Sequence, residues 1–533
     1  MTASAELSLS LVSHTNVGKT TLARTLLGRD IGEVRDEAHV TETAEPHRLI
    51  DSPAGDRLLL WDTPGFGDSH RLAKRLAMAG NPLGWLLTEA WDRWRDRAFW
   101  ASQRAIRHVL DQADVALYLV NAAEAPDDAA YLAPELQVLA LLGKPVVVVL
   151  NQLGAPGDEA RQVQRWQAHL AGLTGQPGML PSPVRAVLPL DAFARCWVQE
   201  GVLLQAVAEA LPDDRRPAMG RLIDAWRQRQ QATWQASMAV LAQRLGRAAL
   251  DRERVASGGW RAPLRRAGQL LGRGLSRGLG LDPGRPGDDD SAQNLAMAAL
   301  ADRLDADIRR STAALIALHG LQGDAAGEVL ARLAQHFSRR EPVSEGRAAI
   351  WGGIVTGALA GLKADLASGG LTMGGGLLAG GVLGALGAAG AARGVNRVRG
   401  IAQPVLAWDD RVLDALLRSA LLAYLAVAHH GRGRGEWRQG EPPAAWISAV
   451  DAALAQHQAD RDTLWQLRAE ALAVSPAGVP SDVDDEGRPV SALPAAAAAA
   501  TPAFDDALAS LGQALGRSVL RQLYPDGALR AGL

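Results

Sequence analysis

Residues 7–28 read LSLSLVSHTNVGKTTLARTLLG. Leu7 to Val12 form a short apolar run that reads as a buried strand. SHTNVGKTT, from Ser13 to Thr21, interrupts it, and LARTLLG then returns with helical apolar spacing. In a strand, loop and helix of this pattern, successive backbone N–H groups wrap phosphate oxygens. The lysine ammonium reaches the outer phosphates, the next hydroxyl binds Mg²⁺, and the helix N-terminus adds a favourable dipole. The candidate phosphate contacts are therefore Ser13, His14, Thr15, Asn16, Val17, Gly18, Lys19, Thr20 and Thr21. Ser13 stands where the usual loop begins with glycine, so the loop needs support from the rest of the chain.

That support comes at LLLWDTPGFGD, Leu58 to Asp68, where an apolar strand ends in an aspartate and a glycine follows three residues later. Asp62 is the candidate to hold Mg²⁺ through water, and the Gly65 amide is the candidate to touch a γ-phosphate. Between the motifs lies GEVRDEAHVTET, in which Thr41, 22 residues after Lys19, is the candidate to close over Mg²⁺, with Thr43 the alternative. The metal set is thus Thr20, Thr41 and Asp62, and the catalytic set Lys19, Thr41 and Gly65. Further strands are expected at Asp114 to Ala122, Pro145 to Gln152 and Val184 to Ala192, alternating with helices as a parallel sheet requires.

The chain of 533 residues is too long for one core, its net charge is −2 and 48% of it is hydrophobic, which excludes global disorder and nucleic-acid binding through net charge. A single cysteine, Cys196, excludes a disulfide framework within the chain. ELSLSLVS begins at Glu6 with no basic leader before it, so the expected location is cytoplasmic.

The order HTNVGKT, threonine loop, DTPG and a VLN strand resembles the Era-like branch of translation-factor-type GTPases over roughly the first 200 residues. More narrowly, the loop joined to a long Ala/Gly-rich C-terminal region looks like a bacterial family of Era-like GTPases whose C-terminal domain is uncharacterised. The resemblance implies a three-layer α/β domain, GTP as ligand with Mg²⁺, and Asn151 as a nucleotide-side residue. Two positions depart from the pattern. Where such proteins carry Asn-Lys-x-Asp to read guanine, this chain has Asn151, Gln152, Leu153 and Gly154, so the aspartate is missing. Asp158 could replace it only by a loop rearrangement, and Asp191 at a strand end is another possible base contact or a plain loop residue; an ATP-using switch is the alternative. Phe66 stands where many small GTPases place a water-orienting glutamine, which predicts slow unassisted turnover. His70, Arg71, or an arginine from a partner or second protomer in a homodimer are the candidates to assist.

From Ser69 to Gln112 a helical insertion is expected, with Trp85, Trp91, Trp94 and Trp100 among arginines. Further on, Trp234, Met238, Leu241 and Leu245 recur at i, i+4, i+7 and i+11 and predict the buried stripe of a helical bundle. Trp260 to Leu281 carries five arginines and no acid, which suits an anionic lipid surface or a basic loop. Ala348 to Leu362 and Leu371 to Ala392 are glycine-rich apolar runs that read as a glycine-zipper hairpin. The second has 22 residues without a charge and as a helix would reach about 33 Å, enough to cross a bilayer core. Eight of those residues are glycine, so a soluble core is the competing reading. His429 and His430 project to different sides of a helix and do not make a metal pair.

The expected architecture is a GTPase domain over 1–212 with the insertion at about 69–112, a helical domain over 213–340, the hairpin over 341–400, a helical continuation over 401–473, a linker over 474–503 and a C-terminal helix over 504–533. The expected function is a GTP-binding, slowly hydrolysing switch that acts on a helical domain. That domain would meet a membrane, at its cytoplasmic face, or a helical protein partner, and no specific nucleic acid is predicted. The alternative is a nucleotide-degenerate scaffold.

Overall fold

The computed structural model describes residues 4–14, 17–29, 31, 45–66, 74, 97–153, 159–174, 180–192, 196–254, 288–321, 405–430, 444–474 and 502–532. Thr15, Asn16, Thr41, most of the 69–112 insertion, the arginine-rich stretch, the glycine-rich hairpin and the 474–503 linker, save its ends, lie outside them.

The described residues divide into two compact units, one drawn from 1–232, 428–445 and 520–533, the other from 233–427 and 446–519. The first is built on a six-stranded sheet. Its strands are β1 (Glu6–Ser13), β2 (Glu45–Asp51), β3 (Arg57–Asp62), β4 (Val115–Asn121), β5 (Val146–Asn151) and β6 (Val184–Pro189), in the spatial order β2-β3-β1-β4-β5-β6. All neighbours are parallel except β2 and β3, which pair antiparallel. The helices of this sheet are α1 (Lys19–Leu27), α2 (Arg97–Gln112), α3 (Leu132–Leu141), α4 (Glu159–Thr174) and α5 (Trp197–Ala210).

β4 and β5 are apolar nearly throughout because both faces of a central parallel sheet are covered. One face packs Val12, Tyr118, Val120, Val148 and Leu150 against Ile106 and Val109 of α2, Leu136 and Leu139 of α3 and the fully buried Trp166 of α4. The chain leaves β1 toward β3 on one side and returns to β4 on the other. The carboxyl end of β1 is therefore a switch point, where open α/β sheets form their ligand crevice.

In the same unit a short helix, Pro525–Ala531, packs on α5. Gly527 lies where a Cβ would stand 2.7 Å from Val198 Cγ1, so only glycine lets the two backbones approach this closely. Arg221 makes a two-pronged ion pair with the buried Asp56 at 2.7 and 2.8 Å. Those hydrogen bonds hold the Asp56 carboxyl well below the ordinary carboxylate range.

The second unit is helical, with the later part of α6 (Arg216–Leu250), α7 (Asp288–Leu318), α8 (Asp410–Ala428), α9 (Ala444–Gln456), α10 (Gln458–Val474) and most of α11 (Pro502–Leu523), plus the two-stranded pair β7 (Arg252–Arg254) and β8 (Val405–Ala407). Trp234, Met238, Leu241 and Leu245 are all buried, as their helical spacing predicts. Arg244 is buried too, bonded to Ser311 and to the Leu416 carbonyl, and burial brings its pKa down to about 10. Among the described residues no helix is long and apolar enough to cross a membrane.

Candidate nucleotide site

The phosphate-binding loop leaves β1 at Ser13 and enters α1 at Lys19. Gly18 is the N-cap of α1, with φ +92°, and no side chain caps the helix. The first turn also holds no acid, so its N–H groups and dipole stay directed at an incoming anion. A Cβ at position 18 would meet Asn151 Nδ2 at 2.8 Å, and the left-handed backbone already disfavours any other residue.

Lys19 is buried, and burial pushes its ammonium pKa down while the carboxylates of Asp62 and Glu135 oppose the shift. Its Nζ donates to Ser13 Oγ at 2.9 Å, and that hydroxyl donates onward to the His14 carbonyl. The serine in place of the loop's first glycine thus holds the Lys19 ammonium. Thr20 Oγ1 donates to Asp62 Oδ2 at 2.6 Å, joining the two sequence motifs at the carboxyl ends of β1 and β3. Gly65 is buried between Thr63, whose hydroxyl donates to the Leu11 carbonyl at 2.5 Å, and Phe66, whose N–H donates to the Ser13 carbonyl at 2.9 Å. Phe66 is fully buried in the sheet's core, turned away from any role with water.

Thr21 and Val17 are buried as well. Asn151, at the end of β5, spans the site: its Nδ2 donates to the Val17 carbonyl at 2.9 Å and its Oδ1 accepts from the Ala192 N–H at 2.8 Å. Thr25 of α1 donates to the Ala192 carbonyl at 2.8 Å, so Ala192 is fixed at both of its peptide groups.

The sequence reading passes over the residues that secure His14. Its Nδ1 lies 2.8 Å from Glu135 Oε1, and its ring stacks on Tyr131 at 4.4 Å between centroids. Glu135 is buried on α3 and also accepts from the Tyr118 hydroxyl at 2.7 Å. Burial, then the Glu135 charge, push the Tyr118 pKa well up, so it remains a hydroxyl donor. A lone acid in the largely apolar LAPELQVLALL, and a tyrosine in the buried VALYLVN, are sequence signals of buried polar groups that need partners.

Residues 8–152 match the family described as 50S ribosome-binding GTPase, and residues 182–488 match the one described as domain of unknown function (DUF3482). No curated protein matches the chain. Among solved structures, a variant of Era from Aquifex aeolicus bound to GDP.AlF4- is similar at 19% identity, covering 39% of this chain and 57% of that one, with a TM-score of 0.27. Era in complex with MgGDPNP and nucleotides 1506-1542 of 16S ribosomal RNA is similar at 20% identity, covering 40% and 58%, with a TM-score of 0.28. The chain thus spans less than two thirds of the length of these relatives. The N-terminal α/β unit is a P-loop GTPase domain, and the DUF3482 match extends over more than half of the sequence; the chain belongs to the DUF3482 family.

Proposed function

We propose that this chain is a GTP-hydrolysing switch with slow intrinsic turnover, whose nucleotide state acts on its helical C-terminal part. The observation that carries the reading is the convergence of Lys19, Ser13, Thr20 and Asp62 at the mouth of an uncapped helix. One ammonium, two hydroxyls and one carboxylate gathered in this way suit the outer phosphates of a nucleotide and its metal ion.

Thr20 Oγ1 and Asp62 Oδ2, 2.6 Å apart, are hard oxygen donors of the kind Mg²⁺ prefers, so the residues fit that ion. Thr20 and Asp62 would hold it, with Thr41 as the third candidate, and bound Mg²⁺ neutralises charge on the β- and γ-phosphates. Lys19 then orients the outer phosphates, and the first-turn amides of α1 bind them. Phe66 offers no polar atom to orient water, which supports slow turnover unless a partner supplies an arginine. Attachment of the C-terminal part to a membrane through residues 348–392 completes the proposal. Its support is the 22-residue uncharged run followed by Arg393, Arg397 and Arg399.

The test is equilibrium binding of fluorescent GTP and ATP analogues with Mg²⁺ to the full chain and to Lys19→Ala. GTP preference that the substitution removes supports the switch; ATP preference redirects it to an ATP-using switch, and binding of neither leaves a scaffold. Sedimentation with membranes, lost on deletion of 348–392, tests the attachment, and a wholly soluble wild type sinks it.

A further inference from the structure

We infer that Asp191 is the residue that reads the base, taking over the part of the aspartate missing from position 154. The inference rests on the GTP reading above and adds its specificity determinant.

The loops that leave β5 and β6 lie side by side at the carboxyl edge of the sheet, where the Leu190 N–H donates to the Leu150 carbonyl at 3.0 Å. Asn151 ties the ends of both strands to the phosphate-binding loop, through the Val17 carbonyl on one side and the Ala192 N–H on the other. On the β5 side the chain turns at Gln152, which has φ +58°, and the sequence continues with Leu153 and Gly154. Neither can accept a hydrogen bond through its side chain.

On the β6 side, Asp191 Oδ2 accepts the Leu153 N–H at 3.1 Å, which brings a carboxylate against the residue that precedes position 154 in the chain. Its backbone is rigidly placed, because the adjoining Ala192 is held through its N–H by Asn151 and through its carbonyl by Thr25. Asp191 remains partly accessible while Ala192 is buried. A carboxylate has about four lone-pair positions, so it can accept more than one donor at once. Glu159, in the first turn of α4, has its carboxyl pushed up by burial and then by the charge of Asp191, which places that charge at this edge of the site.

The chemistry selects guanine. Its N1–H and 2-amino groups are two adjacent donors that one carboxylate accepts together. Adenine presents a single donor beside a lone pair that a carboxylate repels. Hypoxanthine lacks the 2-amino donor, and xanthine carries a carbonyl in its place. An asparagine at 191, with one acceptor and one donor, therefore matches xanthine, and it still accepts from Leu153.

The experiment measures equilibrium affinities of the full-length wild type and Asp191→Asn for GTP, inosine triphosphate, xanthosine triphosphate and ATP, each with Mg²⁺. Wild type is expected to bind GTP about 10- to 100-fold more tightly than inosine triphosphate, and Asp191→Asn to reverse the order of GTP and xanthosine triphosphate. Wild type that binds GTP and inosine triphosphate equally overturns the assignment, and this arm needs no variant to fold. So does an Asp191→Asn protein that keeps the wild-type ratio of GTP to xanthosine triphosphate. Wild type that binds no GTP at all overturns the underlying switch reading, an outcome separate from both.

Discussion

His14 and Glu135, 121 residues apart, lie 2.8 Å from one another, Nδ1 to Oε1, and couple the phosphate-binding loop to the helix after β4. Against an ionised carboxylate, which only accepts, Nδ1 is the ring nitrogen that carries the proton. The same carboxylate receives the Tyr118 hydroxyl. Glu135→Ala therefore strands a buried hydroxyl and frees the imidazole. Urea unfolding is expected to show a loss of roughly 1–3 kcal/mol, with Glu135→Gln losing less. Equal losses in the two variants would deny the carboxylate this role.

Lys19 is the only cation whose ammonium is held at the mouth of α1 by Ser13 among the described residues. Lys19→Ala is expected to weaken GTP binding by about 10- to 100-fold, the range for a charge-assisted hydrogen bond. Thermal unfolding without nucleotide should stay near that of wild type, since a partly desolvated ammonium is removed rather than left alone. Titration calorimetry checks the first effect and scanning calorimetry the second.

Asn151 satisfies two buried peptide groups from two different loops. Asn151→Ala leaves the Val17 carbonyl and the Ala192 N–H without that partner and should cost roughly 1–3 kcal/mol. Gly18→Ala strikes the same contact from the other side, at 2.8 Å and at φ +92°. It should weaken nucleotide binding more than it lowers stability. A double variant whose loss equals the sum of the single losses would show that the two positions do not interact.

His108 on α2 packs against the Trp61 ring at 4.4 Å, and its Nε2 is buried with no hydrogen-bond partner among the described residues. Burial lowers its pKa from 6.5 to about 4, against the opposing pull of Asp111. Between those values the unfolded chain binds a proton that the folded chain refuses, so stability rises with pH across that window and falls as pH drops from about 6.5 toward about 4. Urea midpoints measured over this range should slope for the wild type and flatten in part for His108→Leu.

Gly527 presses on Val198, where a Cβ would stand 2.7 Å from Cγ1 and 3.3 Å from the Val198 carbonyl. Gly527→Val should destabilise the N-terminal unit by roughly 1–3 kcal/mol, because neither a β-branched side chain nor a backbone carbonyl yields easily. Hydrogen exchange in α5 would report the change locally.

Much of the candidate site's local geometry was legible in residues 7–28 and 58–68 alone. Glycine at a left-handed cap, a lysine and hydroxyl opening a helix, and an acid ending an apolar strand are local requirements, so adjacent letters state them. The buried stripe of α6 was legible for the same reason, since the α-helical repeat sets which side chains share a face. Chain folding had to supply the partners. Glu135 reaches His14 across 121 residues, Arg221 reaches Asp56 across 165 and Leu153 reaches Asp191 across 38, separations over which no periodicity carries information. Short-range backbone geometry writes motifs into sequence; which buried acid meets which donor depends on the order in which the strands are laid side by side.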